Sequence, residues 1–184
     1  PAPKKARSTG KTVAVIGGGP GGLSAAWQLA LRGHSVDLYE ASGKLGGKME
    51  YAIPSERLSK EVLTKELSRF EEIGVDVHLN TKVNRKLFDQ IYKEHEVVIV
   101  ASGATEARII EFAGWEEVIP GIEFLKAINF GPLSLTTTRF TWPADSNREV
   151  DFKGARVVFI GAGNVGMDIA SQAWNLGAAQ VSAV

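Results

Sequence analysis

Gly17, Gly19 and Gly22 are the residues whose types and spacing first suggest chemistry. They lie in Ile16-Gly17-Gly18-Gly19-Pro20-Gly21-Gly22, after the apolar run Thr12-Val13-Ala14-Val15-Ile16 and before Leu23-Ser24-Ala25-Ala26. Each has a separate task in a strand-to-helix turn that grips a pyrophosphate. Gly17 permits the tight bend, Gly19 lets backbone amides approach the phosphates, and Gly22 lets the helix pack close to the strand. The helix N-terminus adds free N–H groups and the positive end of its dipole. Glycine makes up 20 of 184 residues, so the pattern alone is weak. It gains weight from Val36-Asp37-Leu38-Tyr39-Glu40, a second strand pattern ending in an acid at the distance that suits a ribose hydroxyl pair.

The same pattern returns. Ala155-Arg156-Val157-Val158-Phe159-Ile160-Gly161-Ala162-Gly163-Asn164-Val165-Gly166-Met167-Asp168-Ile169-Ala170 is again strand, glycine turn and small-residue helix. Gly33 follows Gly17 by 16 residues and Gly177 follows Gly161 by 16, so the helices share their length. Two such turns in one chain are far more specific than one. The next strand, Gln180-Val181-Ser182-Ala183-Val184, leaves two alignments for the ribose-contacting position. Without a gap it is Val184; with a loop one residue longer it is position 185. Neither distinguishes NAD from NADP.

The elements that must position these turns follow from periodicity. Leu63, Leu67, Phe70 and Ile73 recur at helical spacing between a capping Ser59 and a closing Gly74. Val75 to Leu79 alternates as a strand, Leu87 to Glu94 reads as a helix, and Val97 to Ala101 as a buried strand ending at Ser102-Gly103. The order predicts an α/β fold: a Rossmann-like domain with a parallel sheet covered by helices, followed by the start of a second Rossmann-like domain. Gly17 to Gly22, Glu40 and Ser102-Gly103 all fall at strand carboxyl ends and converge on one crevice. Ala41 to Met49 is a glycine loop, for which close passage past a cofactor and a plain flexible turn weigh equally. Residues 105 to 152 are less regular, with a short helix over 123–128 and a connector or hairpin over 131–151.

Composition narrows the class. Twenty-one basic and 21 acidic residues cancel, which removes a whole-chain electrostatic case for nucleic acid. No apolar run reaches membrane-spanning length and no signal peptide opens the chain, so a soluble, cytoplasmic protein without a membrane partner is expected. The absence of cysteine excludes thiolate metal sites, iron–sulfur ligation and a redox-active Cys pair within this stretch. His34, His78 and His95 read as ordinary structural or surface histidines with no metal-ligand spacing. For Asp168 a cofactor contact and a solvated or capping role weigh equally. Pro1 to Gly10 reads as a linker.

The two turns and what lies between them resemble the flavoprotein family of the glutamate synthase small subunit and the matching module of dihydropyrimidine dehydrogenase. The resemblance runs from Lys11 to Val184 and is carried by Ala14 to Gly22, Leu45 to Pro54, Arg57 to Val62, Val98 to Ala104, Glu123 to Leu125 and Val158 to Asp168. It implies two dinucleotide domains, the NAD(P)H domain being inserted into the FAD domain. By the resemblance, Gly17, Gly19, Pro20 and Gly22 cradle the FAD pyrophosphate and Glu40 holds its ribose. Gly46, Gly47 and the segment through Arg57 line the flavin side. Ser102-Gly103 stands where the family usually has Thr-Gly. Gly161, Gly163, Asn164 and Val165 face the nicotinamide cofactor. Family members usually carry a cysteine-rich iron–sulfur segment ahead of the first turn, where a linker stands here, and the stretch reads as a piece of a larger polypeptide.

The expected organisation is a linker over 1–10, the FAD-binding domain over 11–130, a connector over 131–152 and the N-terminal part of the NAD(P)H-binding domain over 153–184. The expected function is an oxidoreductase passing hydride from NAD(P)H to FAD and electrons onward to iron–sulfur centres or a partner subunit. No side-chain acid or base is demanded, so no catalytic residue is assigned. A one-dinucleotide flavin oxidase or desaturase shares the first turn but not residues 157–166. A non-catalytic FAD-binding or structural fragment is the third reading.

Overall fold

The computed structural model describes residues 3–104, 106–107, 109–131, 133–134, 136–142 and 145–184. The chain forms two compact units. One comprises Pro1–Glu50 and Leu58–Thr105, the other Tyr51–Arg57 and Glu106–Val184.

In the first unit, four strands lie parallel: β1 (Thr12–Ile16), β2 (Ser35–Tyr39), β3 (Val75–His78) and β4 (Val97–Val100). Their order is β3-β2-β1-β4. The chain steps outward from β1 to β3, then crosses back to place β4 on the other side of β1. The order therefore reverses at the carboxyl end of β1, where the first glycine turn stands. Burial centres on β1 and β2, where Val13, Ala14, Val15, Val36 and Leu38 are buried; β4, expected as a buried strand, instead leaves Val97 and Val100 51% and 63% exposed. Val15 packs with α1 (Pro20–Leu31), whose Leu23, Ala26 and Ala30 are buried in the same core; the alanines let helix and sheet approach closely. Next come a short α2 (Lys48–Tyr51) and α3 (Lys60–Glu72), whose Phe70 meets Trp27 of α1 edge-on at 5.3 Å. α4 (Arg85–Glu94) buries Ile91.

The stretch expected to be a linker is partly tied down. Ala6 N–H donates to the Leu31 carbonyl (2.8 Å) and Thr9 N–H to that of Gly33 (3.0 Å). The first bond uses a carbonyl that the end of α1 leaves unpaired, the second one in the turn just past it.

In the second unit, α5 (Gly121–Asn129) and α6 (Asn164–Asn175) pack with Phe124, Leu125, Leu133, Phe140, Phe152, Ala173 and Leu176 as the core. The expected hairpin is present as antiparallel β5 (Arg139–Trp142) and β6 (Asp145–Asp151). β7 (Arg156–Phe159) and β8 (Gln180–Ala183) lie parallel with α6 between them in sequence, repeating the β1-α1-β2 connection. The units divide at Thr105 and around Tyr51–Arg57, so α5 and the segment 51–57 pack with the second unit although the sequence grouped them with the first.

Candidate dinucleotide turns

Gly17 bends at φ +112°, and a Cβ there would stand 2.3 Å from the Ala101 carbonyl oxygen. This close approach is how β4 delivers Ser102 to the turn. At Gly22 a Cβ would lie 1.8 Å from the Gly17 carbonyl oxygen, so only glycine lets α1 start so near β1. Gly19 differs. It is extended (φ −80°, ψ −178°), caps α1 without a side-chain bond, and a Cβ there would meet no atom within 4 Å. Its Cβ face is open. By contrast α3 and α4 receive side-chain caps, from Ser59 to Val62 N–H and from Asn84 to Leu87 N–H.

Glu40 follows β2 and faces the turn. One carboxylate oxygen accepts from Gly18 N–H (2.7 Å) and the other from Ser42 N–H (2.8 Å). Its own N–H donates to the His78 carbonyl and its carbonyl accepts from Thr81 N–H. The loop weighed evenly between roles packs on the turn. Gly46 N–H donates to the Gly18 carbonyl (2.8 Å), and a Cβ on Gly47 would lie 2.9 Å from the Gly19 Cα. Gly17, Gly19, Pro20, Gly22, Glu40, Gly46, Gly47, Ser102 and Gly103 thus all belong to one unit, the first five groups around a single turn.

The second turn repeats the first. Gly161 bends at φ +97°, Gly163 is extended (φ −75°, ψ −178°) with open space at its Cβ position, and a Cβ on Gly166 would lie 2.0 Å from the Gly161 carbonyl oxygen. Asn164 and Val165 open α6. Gly17 N–H donates to the Tyr39 carbonyl and Gly161 N–H to the Val184 carbonyl, each at 2.8 Å. Val184 therefore corresponds to Tyr39, and the partner of Glu40 is position 185. The gapless alternative fails because the loop after Gly177 is one residue longer.

Arg57 sits in the second unit with these residues, its guanidinium 2.8 Å from Asp168 of α6, whose side chain is 14% exposed. Asp168 is thus ion-paired rather than solvated or capping. One turn on, the buried Gln172 donates to Glu56 (3.2 Å). Asn129 donates to the Tyr51 carbonyl (3.0 Å) and the Lys126 ammonium lies over the Tyr51 ring.

Two polar clusters escaped the sequence reading, both in the first unit. Glu50 is 8% exposed and lies between Lys44 (3.3 Å) and Lys60 (3.9 Å); Lys60 also donates to the Glu50 carbonyl. Burial lowers the pKa of Lys60, while Glu50 acts in the opposite direction. Asp37 of β2 accepts from His78 (2.9 Å) and His95 (3.1 Å). Asp76 joins them, bringing one ligand atom each of Asp37, Asp76 and His78 within 4.8 Å of one another, and the short contact among the three is the Asp37–His78 hydrogen bond. Tyr39 stacks on His78 at 4.6 Å, and its pKa is raised by burial and then by Asp37, Glu94 and Asp76. An aspartate inside an apolar strand was the available signal.

Residues 11–184 match the model of the pyridine nucleotide-disulphide oxidoreductase family. The chain belongs to this family. A pyridine nucleotide-disulphide oxidoreductase domain is an oxidoreductase module, and its cofactors are FAD and NAD(P)H. Among its relatives is the NADP(+)-dependent formate dehydrogenase subunit beta of Moorella thermoacetica, 36% identical over 179 residues. That match covers 95% of this chain and 23% of the relative. The glutamate synthase [NADPH] small chain of Azospirillum brasilense is 31% identical over 178 residues, covering 95% of this chain and 36% of the relative. The family thus includes the glutamate synthase small chains that the sequence resembled. The fold is also that of Mycobacterium tuberculosis FprA in complex with NADPH, with a TM-score of 0.67 at 23% identity over 89% of this chain and 36% of that one. The chain spans about a quarter to a third of the length of these proteins. No helix among the described residues is long and apolar enough to cross a membrane.

Proposed function

We propose that the first turn holds FAD and the second holds NAD(P)H, in an oxidoreductase that moves hydride from NAD(P)H to FAD and sends electrons on to iron–sulfur centres or a partner subunit. The observation that supports this reading best is the pair of turns with the same backbone geometry, each with an open glycine face at an uncapped helix start. Bound FAD supplies the hydride-accepting chemistry. The chain's own residues bind and orient. Gly17, Gly19 and Gly22 shape the pyrophosphate cradle, and Pro20 starts α1 with φ already helical and no N–H to satisfy. Glu40 exchanges its bond to Gly18 for the ribose hydroxyls. Gly46 and Gly47 hold the cradle from the loop side, Ser102 and Gly103 from the end of β4. Gly161, Gly163, Asn164 and Val165 do the same work for the nicotinamide dinucleotide, and in their unit Arg57 is a positive charge held in place by Asp168.

The names of two relatives, a subunit beta and a small chain, support a partner as the electron exit. The test is anaerobic mixing of the FAD-loaded full-length polypeptide with NADH or NADPH. Bleaching of the flavin absorbance by either nucleotide is expected. Flavin that stays oxidised with both overturns the reading.

A further inference from the structure

We propose that Asp37, His78 and His95 are positioning residues for the ribose acid Glu40, with His95 held as an imidazolium that must keep its proton for the dinucleotide to bind tightly. The inference rests on the reading of Glu40 as the ribose contact.

Val36 and Leu38 are buried on one face of β2, so strand alternation turns Asp37 to the opposite face. A carboxylate there needs partners. One of its oxygens lies 2.9 Å from His78 Nε2 and the other 3.1 Å from His95 Nε2. The His95 side chain is only 6% exposed, and its other nitrogen, Nδ1, lies 2.9 Å from the Ile91 carbonyl oxygen. A carboxylate and a carbonyl both only accept. Both ring nitrogens of His95 must therefore carry hydrogen, which makes the ring a cation.

The surrounding charges favour that state. Asp37 on β2, Asp76 on β3 and Glu94 at the end of α4 are negative. His78 on β3 stands 3.8 Å from Asp76, and Tyr39 stacks on it. Burial works against the charge on His95, but the Ile91 carbonyl, Asp37 and Glu94 outweigh it and raise its pKa above 6.5.

The network reaches the site through the backbone. The His78 carbonyl accepts Glu40 N–H (2.9 Å), and Thr81 N–H, three residues along, donates to the Glu40 carbonyl (2.8 Å). A group with a raised folded-state pKa stabilises fully below its unfolded value, and that contribution is lost as pH rises through the folded value. Above it, one nitrogen of His95 carries a lone pair facing an oxygen. The bond to Asp37 or Ile91 is lost, and β3 no longer holds Glu40 as firmly.

The experiment measures the FAD dissociation constant of the full-length polypeptide from pH 6 to 9, with the His95 ring proton followed by NMR. Affinity is expected to fall about tenfold across that range, the equivalent of one pKa unit of linkage. His95→Gln, which cannot titrate, is expected to flatten the profile. Linkage is reciprocal, so saturating wild-type protein with FAD must raise the His95 titration midpoint, a measurement that needs no variant. A midpoint at or below 6.5, no midpoint change on FAD loading, or an unchanged profile in His95→Gln each overturns the proposal. Glu40→Gln separates the underlying reading: unaltered FAD affinity in that variant sinks the ribose assignment, while the His95 midpoint in FAD-free protein stands apart from it.

Discussion

Gly17, Gly19 and Gly22 ask different things of the backbone, and alanine separates them. At Gly17 an added methyl meets positive φ and the Ala101 carbonyl; at Gly22 it meets the Gly17 carbonyl. Each substitution is expected to cost about 2 to 4 kcal/mol, read as a lowered urea midpoint. Gly19 has room and an ordinary extended backbone. Gly19→Ala is therefore expected to change stability by less than about 0.5 kcal/mol. It should nonetheless weaken FAD about tenfold, because the methyl occupies the phosphate face. Equal losses of stability in all three variants would contradict this division. These roles were legible from spacing alone, since each depends on residues a few positions apart. Asp37 with His95, and Asp168 with Arg57, were not. Their partners lie 58 and 111 positions away, and only sheet order and helix placement bring them together.

The elements divide along the same line. β1, α1, β2, α3, β3, α4 and β4 were readable because apolar periodicity and end signals agreed. Ser59 and Gly74 do bound α3, and Gly74 takes φ +80°. α4 shows what an end signal contributes. Asn84 accepts from Leu87 N–H at 3.0 Å and starts the helix that carries Ile91 into the core and ends beside His95. Asn84→Ala is expected to cost about 1 kcal/mol, whereas Asn84→Asp should retain most of the stability. Denaturant midpoints with an unchanged slope are the check. The stretch from 105 to 152 was poorly readable because its order comes from packing of distant apolar residues. Phe124, Leu133, Phe140 and Phe152 share one core without a common period.

At the level of the whole molecule, two units with separate cores are expected to unfold in two calorimetric transitions rather than one. FAD at a hundred times its dissociation constant should stabilise the first by about 2.7 kcal/mol and leave the second where it was. A single transition moved as a block would contradict this. Within the second unit, the Arg57–Asp168 pair is half open to water, with side chains 58% and 14% exposed. A double-mutant cycle is expected to give less than about 1 kcal/mol of coupling, shrinking in molar salt. The pair fixes where Arg57 points more than it stabilises the unit.

The bonds that tie residues 6 to 9 to the end of α1 have a practical use. α1 is 12 residues long, so the arm meets the unit about 18 Å from the phosphate turn, at the opposite end of the helix. A dye attached at Lys4 would leave the turn clear. It would also lie close enough to a bound flavin for energy transfer, giving a distance readout of cofactor loading that needs neither turnover nor an electron acceptor.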